Sequence, residues 1–268
     1  MSYTNYNMDT SKGGGHRNKI LLAPGSRMDS LFTPTAAQGH ALGRILEADD
    51  GSNKKWRYCK NGGAALVKAL MTVSPVQDAQ ALAIIQTAYG ASAGATKLNC
   101  LITTGNALTD HELADGTLFV NDGGTAMGDS YLIKDNYWVT SDTVISIEIA
   151  DQGGLRNAIA ATDDLTFLKY KCHEVIVAPT TQTNGGPAVG VPNVAVPINY
   201  FFWAQYKGWC PMILDTTDTI VVGEPVGRAG TLDVAGCVGL VANDGTDAVW
   251  GVCAYASTNA EAAIVDLD

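Results

Sequence analysis

What most constrains this chain is its punctuation. Six dipeptides of Asn or Asp followed by Gly interrupt it: Asp50-Gly51, Asn61-Gly62, Asp115-Gly116, Asp122-Gly123, Asn184-Gly185 and Asp244-Gly245. These pairs tolerate the positive φ angles that tight hairpins demand. Between and beyond them lie short apolar, β-branched runs: Leu118–Val120, Tyr131–Ile133, Val144–Ile149, Glu174–Ala178, Val194–Ile198, Ile220–Val222, Leu232–Ala242 and Ala248–Ala256. Short strands at this spacing predict a mainly β fold, a multi-stranded antiparallel barrel or sandwich. At 268 residues the chain can bury a substantial core, as one large β domain or two smaller ones.

One segment reads as a short helix, near 75–89. Ser74 can cap it, Pro75 suits its first position, and Gln77 sits where a capping box wants its partner. Leu82, Ile85 and Tyr89 follow at helical spacing and Gly90 is placed to end it. Thr109-Asp110-His111-Glu112, running to Gly116, repeats the capping logic over a single turn. Residues 1–40 are polar and without period, apart from Ile20-Leu21-Leu22-Ala23 before Pro24-Gly25. They read as an extended N-terminal arm that orders where it lies on a neighbour. A β-rich domain is expected over 41–180 and a barrel-like part over 194–268, separate from it or continuous with it. The stretch TTQTNGGPAVGVPN at 180–193 is the candidate linker or long exposed loop.

Charge excludes some partners. A net charge of −10 argues against direct nucleic-acid binding, which needs a basic footprint to displace counterions. Residues 1–60 carry a net +4, leaving −14 for the remainder, so a basic leading segment could dock on an acidic protein surface. Only 16% of residues are charged, which suits a surface packed against other subunits. Cys59, Cys100, Cys172, Cys210, Cys237 and Cys253 include no CxxC pair. No run is apolar over the ~18 residues of a membrane helix, and the first residues lack a secretory pattern. The expectation is synthesis in a reducing cytoplasm, no membrane partner, and buried thiols.

Reactive constellations are thin. Gly90-Ala91-Ser92-Ala93-Gly94 matches G-x-S-x-G, which works where a strand delivers the serine and a helix leaves from it. Here the order is reversed, so a serine hydrolase on Ser92, with His111 or His173 as base, is the outlying alternative. His111-Glu112 begins a zinc-type H-E-x-x-H, but Asp115 stands in place of the second histidine. Cys172-His173 would point to opposite faces of a strand. Asp49-Asp50-Gly51-Ser52-Asn53 lacks the closing Glu of a calcium loop. Gly13-Gly14-Gly15-His16 follows no strand, so no phosphate cradle is supported. No catalytic, cofactor-binding or metal-ligating residue is therefore assigned, and no cofactor is expected.

The densest aromatic run is Tyr200-Phe201-Phe202-Trp203-Ala204-Gln205-Tyr206-Lys207-Gly208-Trp209. Alternation puts Tyr200, Phe202 and Tyr206 on one face and Phe201, Trp203 and Trp209 on the other. Both faces are apolar, so both are expected to be covered, one by the chain's own core and one by a neighbouring subunit. Tyr200, Phe201, Trp203, Tyr206 and Trp209 are thus the candidate subunit interface. A sugar-stacking platform is the competing reading. In the arm, Arg17, Lys19, Ile20, Leu21, Leu22 and Arg27 are the candidate contacts to a larger assembly.

The stretch Gly43–Leu66 (GRILEADDGSNKKWRYCKNGGAAL) resembles the opening of tailed-bacteriophage head decoration, or capsid cement, proteins. There a hairpin turn leads into an aromatic and Arg-bearing strand, then a small-residue Asn-Gly segment. The C-terminal part is similar too, from Asn199-Tyr200 through Gln205 and Gly208, then Val222-Gly223, Cys237-Val238-Gly239, Trp250-Gly251-Val252 and Ala263–Leu267. The likeness covers about 95 residues clearly and two-thirds of the chain loosely, on turn-and-strand grammar. It implies a non-enzymatic virion protein on the capsid exterior, often trimeric, that adds to an assembled shell and stabilises contacts between major capsid subunits. The expected partners are the major capsid protein and further copies of this chain. A receptor-binding or head-fibre adhesin is the alternative.

Overall fold

The structure, a computed structural model, describes residues 20–22, 31–75, 85–87, 90–101, 108–122, 124–140, 144–180, 185–215, 219–228, 234–241, 248–257 and 261–268. In chain order its strands are β1 (Ile20–Leu22), β2 (Ile45–Ala48), β3 (Lys55–Lys60), β4 (Thr72–Val73), β5 (Ile85–Thr87) and β6 (Lys97–Leu101). They continue with β7 (Thr117–Asp122), β8 (Ser130–Thr140), β9 (Val144–Ile149), β10 (Asp164–Leu168), β11 (Ile176–Val177) and β12 (Ala188–Pro192). The last are β13 (Phe201–Ile213), β14 (Pro225–Arg228), β15 (Gly239–Leu240), β16 (Ala248–Tyr255) and β17 (Ala262–Leu267). The chain is mainly β, antiparallel and sandwich- or barrel-like, as its turn grammar predicts.

Two compact units divide it. One holds His16–Val76 and Lys171–Asp268, and the other is Gln77–Tyr170, inserted between them. The boundaries expected from composition fall elsewhere: residues 41–76 belong with the C-terminal part because β3 pairs with β13 over Phe201↔Lys60 to Lys207↔Lys55. The stretch expected as linker contributes β12, which pairs with both β13 and β4. Pairing between distant segments leaves no trace in local composition, so the sequence could not disclose it.

The inserted unit is a closed six-stranded barrel, in the order β10-β5-β6-β9-β8-β7. Its strands alternate over short runs: Leu118 and Val120, Tyr131 and Ile133, Ile145 and Ile147, and Leu165 and Phe167 point into one core, while Lys97, Lys134 and Glu148 lie on the outer face. β5 corrects the expected helix at 75–89. Ile85–Thr87 is extended and pairs with β6 and β10, because closing the ring requires a strand between them; tertiary pairing overrides the local capping signal. Residues 76–84 and 88–89 of that expected helix lie outside the described residues.

The turn at Thr109–Gly116 does form, and it plugs the barrel with Leu108 and Leu113. Glu112 reaches back to accept from the Thr109 backbone N–H at 2.5 Å, half of a capping box. Asn136, fully buried, organises the turn: its Oδ1 accepts from Leu113 N–H at 2.6 Å and its Nδ2 donates to the Thr109 carbonyl at 2.9 Å. Positive φ at His111 and Asp115 keeps this a turn rather than a helix. Gly116 is obligatory, since a Cβ there would stand 2.4 Å from the Leu168 carbonyl oxygen.

The other unit is one eleven-stranded sheet, with the path β1-β2-β3-β13-β17-β16-β14-β15 and with β4, β11 and β12 branching from it. Asp50-Gly51 does sit in the β2–β3 connection, where Asp50 Oδ1 accepts from Ser52 N–H at 2.9 Å. Asn61-Gly62 does not make a hairpin. Asn61 is fully buried and its Nδ2 donates to the carbonyls of Ala64, Val196 and Pro197, tying three segments together. The expected arm is also corrected in part. Ile20–Leu22 pairs in parallel with β2 of the same chain, Leu31 is buried, and Thr35 exchanges backbone hydrogen bonds with Phe201. Arg17, Lys19 and Arg27 lie outside the described residues.

Candidate functional site: an exposed apolar sheet face

Strands β13, β17, β16 and β14 lie side by side, and one face of them forms a core around Met212, Val226, Trp250, Cys253 and Val265. Directly opposed residues share a face, so the register defines what the opposite face carries. One row runs Trp209↔Asp266↔Val252↔Pro225 and the next Pro211↔Ile264↔Tyr255. Trp209 is 62% exposed and Tyr255 63%. Val221 and Val222, also exposed, continue the surface, because Gly223 N–H donates to the Cys253 carbonyl at 2.8 Å and holds their loop against β16. Two largely open aromatic rings with flanking Val and Pro thus form an apolar strip facing solvent. Asp266 is the only charge in these two rows.

Of the aromatic run, the structure uses only the end in this way. Trp203 is 1% exposed and lies edge-on to Tyr58 at 5.1 Å and beside His40 at 5.3 Å. Phe201 stacks on Tyr58 at 5.9 Å, and Tyr206 carries the Arg57 guanidinium 4.1 Å above its ring. Tyr200 is half-buried and accepts from Asn61 N–H through its backbone carbonyl. The second cover of the early part of β13 is therefore the chain itself, not another subunit. Trp203 is too buried to serve as a contact or sugar platform, and of the five candidate residues Trp209 is the exposed one. A bulge between Gln205 and Lys207, with Gly208 at φ 78°, separates the two tryptophans and breaks the alternation that grouped them. Gln205 fills it, its Nε2 donating to the Trp209 carbonyl at 2.9 Å.

Sequence reasoning missed Val252, Tyr255, Pro225 and Ile264. The run AVWGVCAY reads as an ordinary buried strand, and only pairing shows which of its faces has no cover.

The reactive candidates stay apart. Ser92 lies exposed in a turn closed by Ala95 N–H on its carbonyl, and among the described residues no histidine hydrogen-bonds to it. His111 is paired with Asp135 at 2.8 Å, which raises its pKa. Cys172 is buried while His173 approaches Glu174 at 3.8 Å. Among the described residues no three His, Cys, Asp or Glu side chains converge as a metal site, and no helix is long and apolar enough to cross a membrane. A cleft of about 160 Å³ beside Arg57, Tyr206, Lys171 and Trp250 is smaller than the several hundred Å³ of typical ligand pockets. No family model, curated protein or solved structure matches the chain.

Proposed function

We propose that the protein is a structural virion component, a decoration protein that binds the outside of a tailed-phage head and bridges neighbouring major capsid subunits. The observation that carries this reading is the open face of Trp209, Val252 and Tyr255: it costs free energy in water and is repaid only by a partner. The resemblance of Gly43–Leu66 and of the C-terminal strands to capsid cement proteins supplies the identity of that partner. Low charge and a tightly packed β body suit a molecule whose work is contact area. Many copies on one shell add their modest affinities through multivalency. The protein acts without a cofactor and without turning over a substrate, in company with the major capsid protein and with its own copies as a homotrimer.

The test uses phage heads prepared without this chain. Purified protein is added, and occupancy is measured by co-sedimentation. Trp209→Ser and Tyr255→Ser should each weaken binding about tenfold or more, as loss of an aromatic anchor does, while both variants remain folded. Full occupancy by the double variant would dismiss the face as the docking surface.

A further inference from the structure

Two of the six cysteines, Cys59 and Cys172, lie on segments that the backbone brings together. Cys59 and Cys172 are both 0% exposed, the Cys59 thiol donates to the Arg57 carbonyl at 3.5 Å, and the Cys172 thiol is near enough to Cys59 to push its pKa up. The backbone holds them there: Lys60 N–H donates to the Cys172 carbonyl at 2.9 Å, Val175 N–H to the Lys60 carbonyl at 3.0 Å, and Gly62 N–H to the Val175 carbonyl at 3.0 Å. This short zipper lies where the chain re-enters the sheet unit, at Lys171, after the barrel. Cys100 is in the barrel core, and Cys210 and Cys253 are in the sheet core.

We propose that Cys59 and Cys172 form an intramolecular disulfide when the protein passes from a reducing to an oxidising environment, clamping β3 to the segment that returns from the barrel. The inference stands on the two thiols and does not depend on the docking face. The oxidant is a small disulfide such as oxidised glutathione. One protein thiol loses its proton and attacks it, releasing one glutathione thiol and leaving a mixed disulfide. The second protein thiol loses its proton and displaces the other glutathione. The protein gives up two hydrogens and two electrons, and the oxidant becomes two thiols.

Burial sets the kinetics. Burial first, and then the neighbouring Cys172 thiol, hold the Cys59 thiol well above its ordinary pKa, so little thiolate is present, and a mixed disulfide has no room in the closed core. Oxidation therefore waits for the zipper to open locally, and the bond, once made, is sealed from reductant. Because the bridge encloses the entire barrel insertion, it constrains the unfolded chain strongly.

The experiment takes the full chain purified under reductant and exposes it to oxidised glutathione with and without mild urea. The protein is then denatured, alkylated and weighed. Of six cysteines, four should alkylate after oxidation, and non-reducing digestion should yield a linked pair of peptides carrying Cys59 and Cys172. Mild urea should speed the reaction. Cys59→Ser and Cys172→Ser, each with five thiols remaining, should alkylate fully and show no link. The oxidised protein should melt on the order of 10 °C higher than the reduced one, a difference that reductant abolishes. Six alkylated thiols after prolonged oxidation in mild urea, or a link through any other cysteine, would overturn the proposal.

Discussion

In the barrel every strand has two hydrogen-bonded neighbours, whereas the sheet unit runs out at β1 on one side and β15 on the other. The two also treat apolar residues differently. Among the described residues, ten of the thirteen large exposed hydrophobics lie in the sheet unit, and only Leu101, Met127 and Leu132 lie in the barrel. The barrel's outer surface is instead laced with charge. Glu148 accepts from Lys97 at 2.5 Å, Lys134 at 3.2 Å and Tyr137 at 3.1 Å, and Arg156 meets Asp129 at 3.2 Å. Closure removes the edges and gives each strand an enclosed face on which to bury apolar side chains. The open, branched sheet keeps more of them exposed, several on the β13–β17–β16–β14 face. The two units thus differ in what they show to solvent: the barrel presents charge, and the sheet unit presents an apolar face.

The comparison breaks most readily at Phe167, fully buried in the barrel. Phe167→Ala should cost about 4 kcal/mol through lost burial and the cavity left behind. Chemical denaturation followed by hydrogen exchange should place that loss in β6 to β10. Equal loss of protection in β13 and β17 would show that the units do not stand alone. Next in size is Asn136→Ala, which strands the Leu113 N–H and the Thr109 carbonyl in the plugging turn. Equilibrium urea unfolding should report about 2 kcal/mol. The sheet unit's exposed face should behave in the opposite way. Trp209→Ser and Tyr255→Ser remove exposed rings, so unfolding free energy should stay within about 0.5 kcal/mol even as capsid occupancy falls. A large stability loss there would mean the face is core.

The same comparison explains what could be read in advance. Barrel strands such as Val144–Ile149 and Leu118–Val120 were legible because each alternates cleanly and pairs with a near neighbour in sequence. The sheet unit was legible as β but not as a unit, since β3 and β13 are joined across the whole barrel insertion. Ile85 looked helical because Ser74, Pro75 and Gln77 satisfy a local rule that ring closure then overrides. Asn61-Gly62 looked like a turn because the residue pair cannot announce that its amide will be buried against three carbonyls. Trp209 and Trp203 were grouped on one face although one is exposed and the other buried, because alternation counts residues and a bulge at Gln205 miscounts them. Exposure of Tyr255 and Val252 is a property of register, and no single strand encodes register.

The smallest effects belong to the barrel's charged exterior, and their signs sharpen the contrast with the nearly uncharged sheet face. Hydrogen bonds from Lys97, then Lys134 and Tyr137, hold the Glu148 carboxyl down to about 2. A depressed carboxylate contributes stability that is full above its ordinary value near 4.5 and is lost as pH falls through about 2. Melting temperature should therefore drop across that acid window, less so at high salt, and Glu148→Gln should flatten the drop. His111 runs the other way. Its hydrogen bond and charge pairing with Asp135 raise its pKa above 6.5, so its contribution is full below that value and disappears as pH rises through the raised one. Asp135→Asn should return the His111 titration, followed by NMR, toward 6.5 and should remove a slight stabilisation at pH 5.5 relative to pH 8.5. An unchanged titration would mean that Asp135 only orients the ring in the turn, leaving the barrel's charges to act through Glu148.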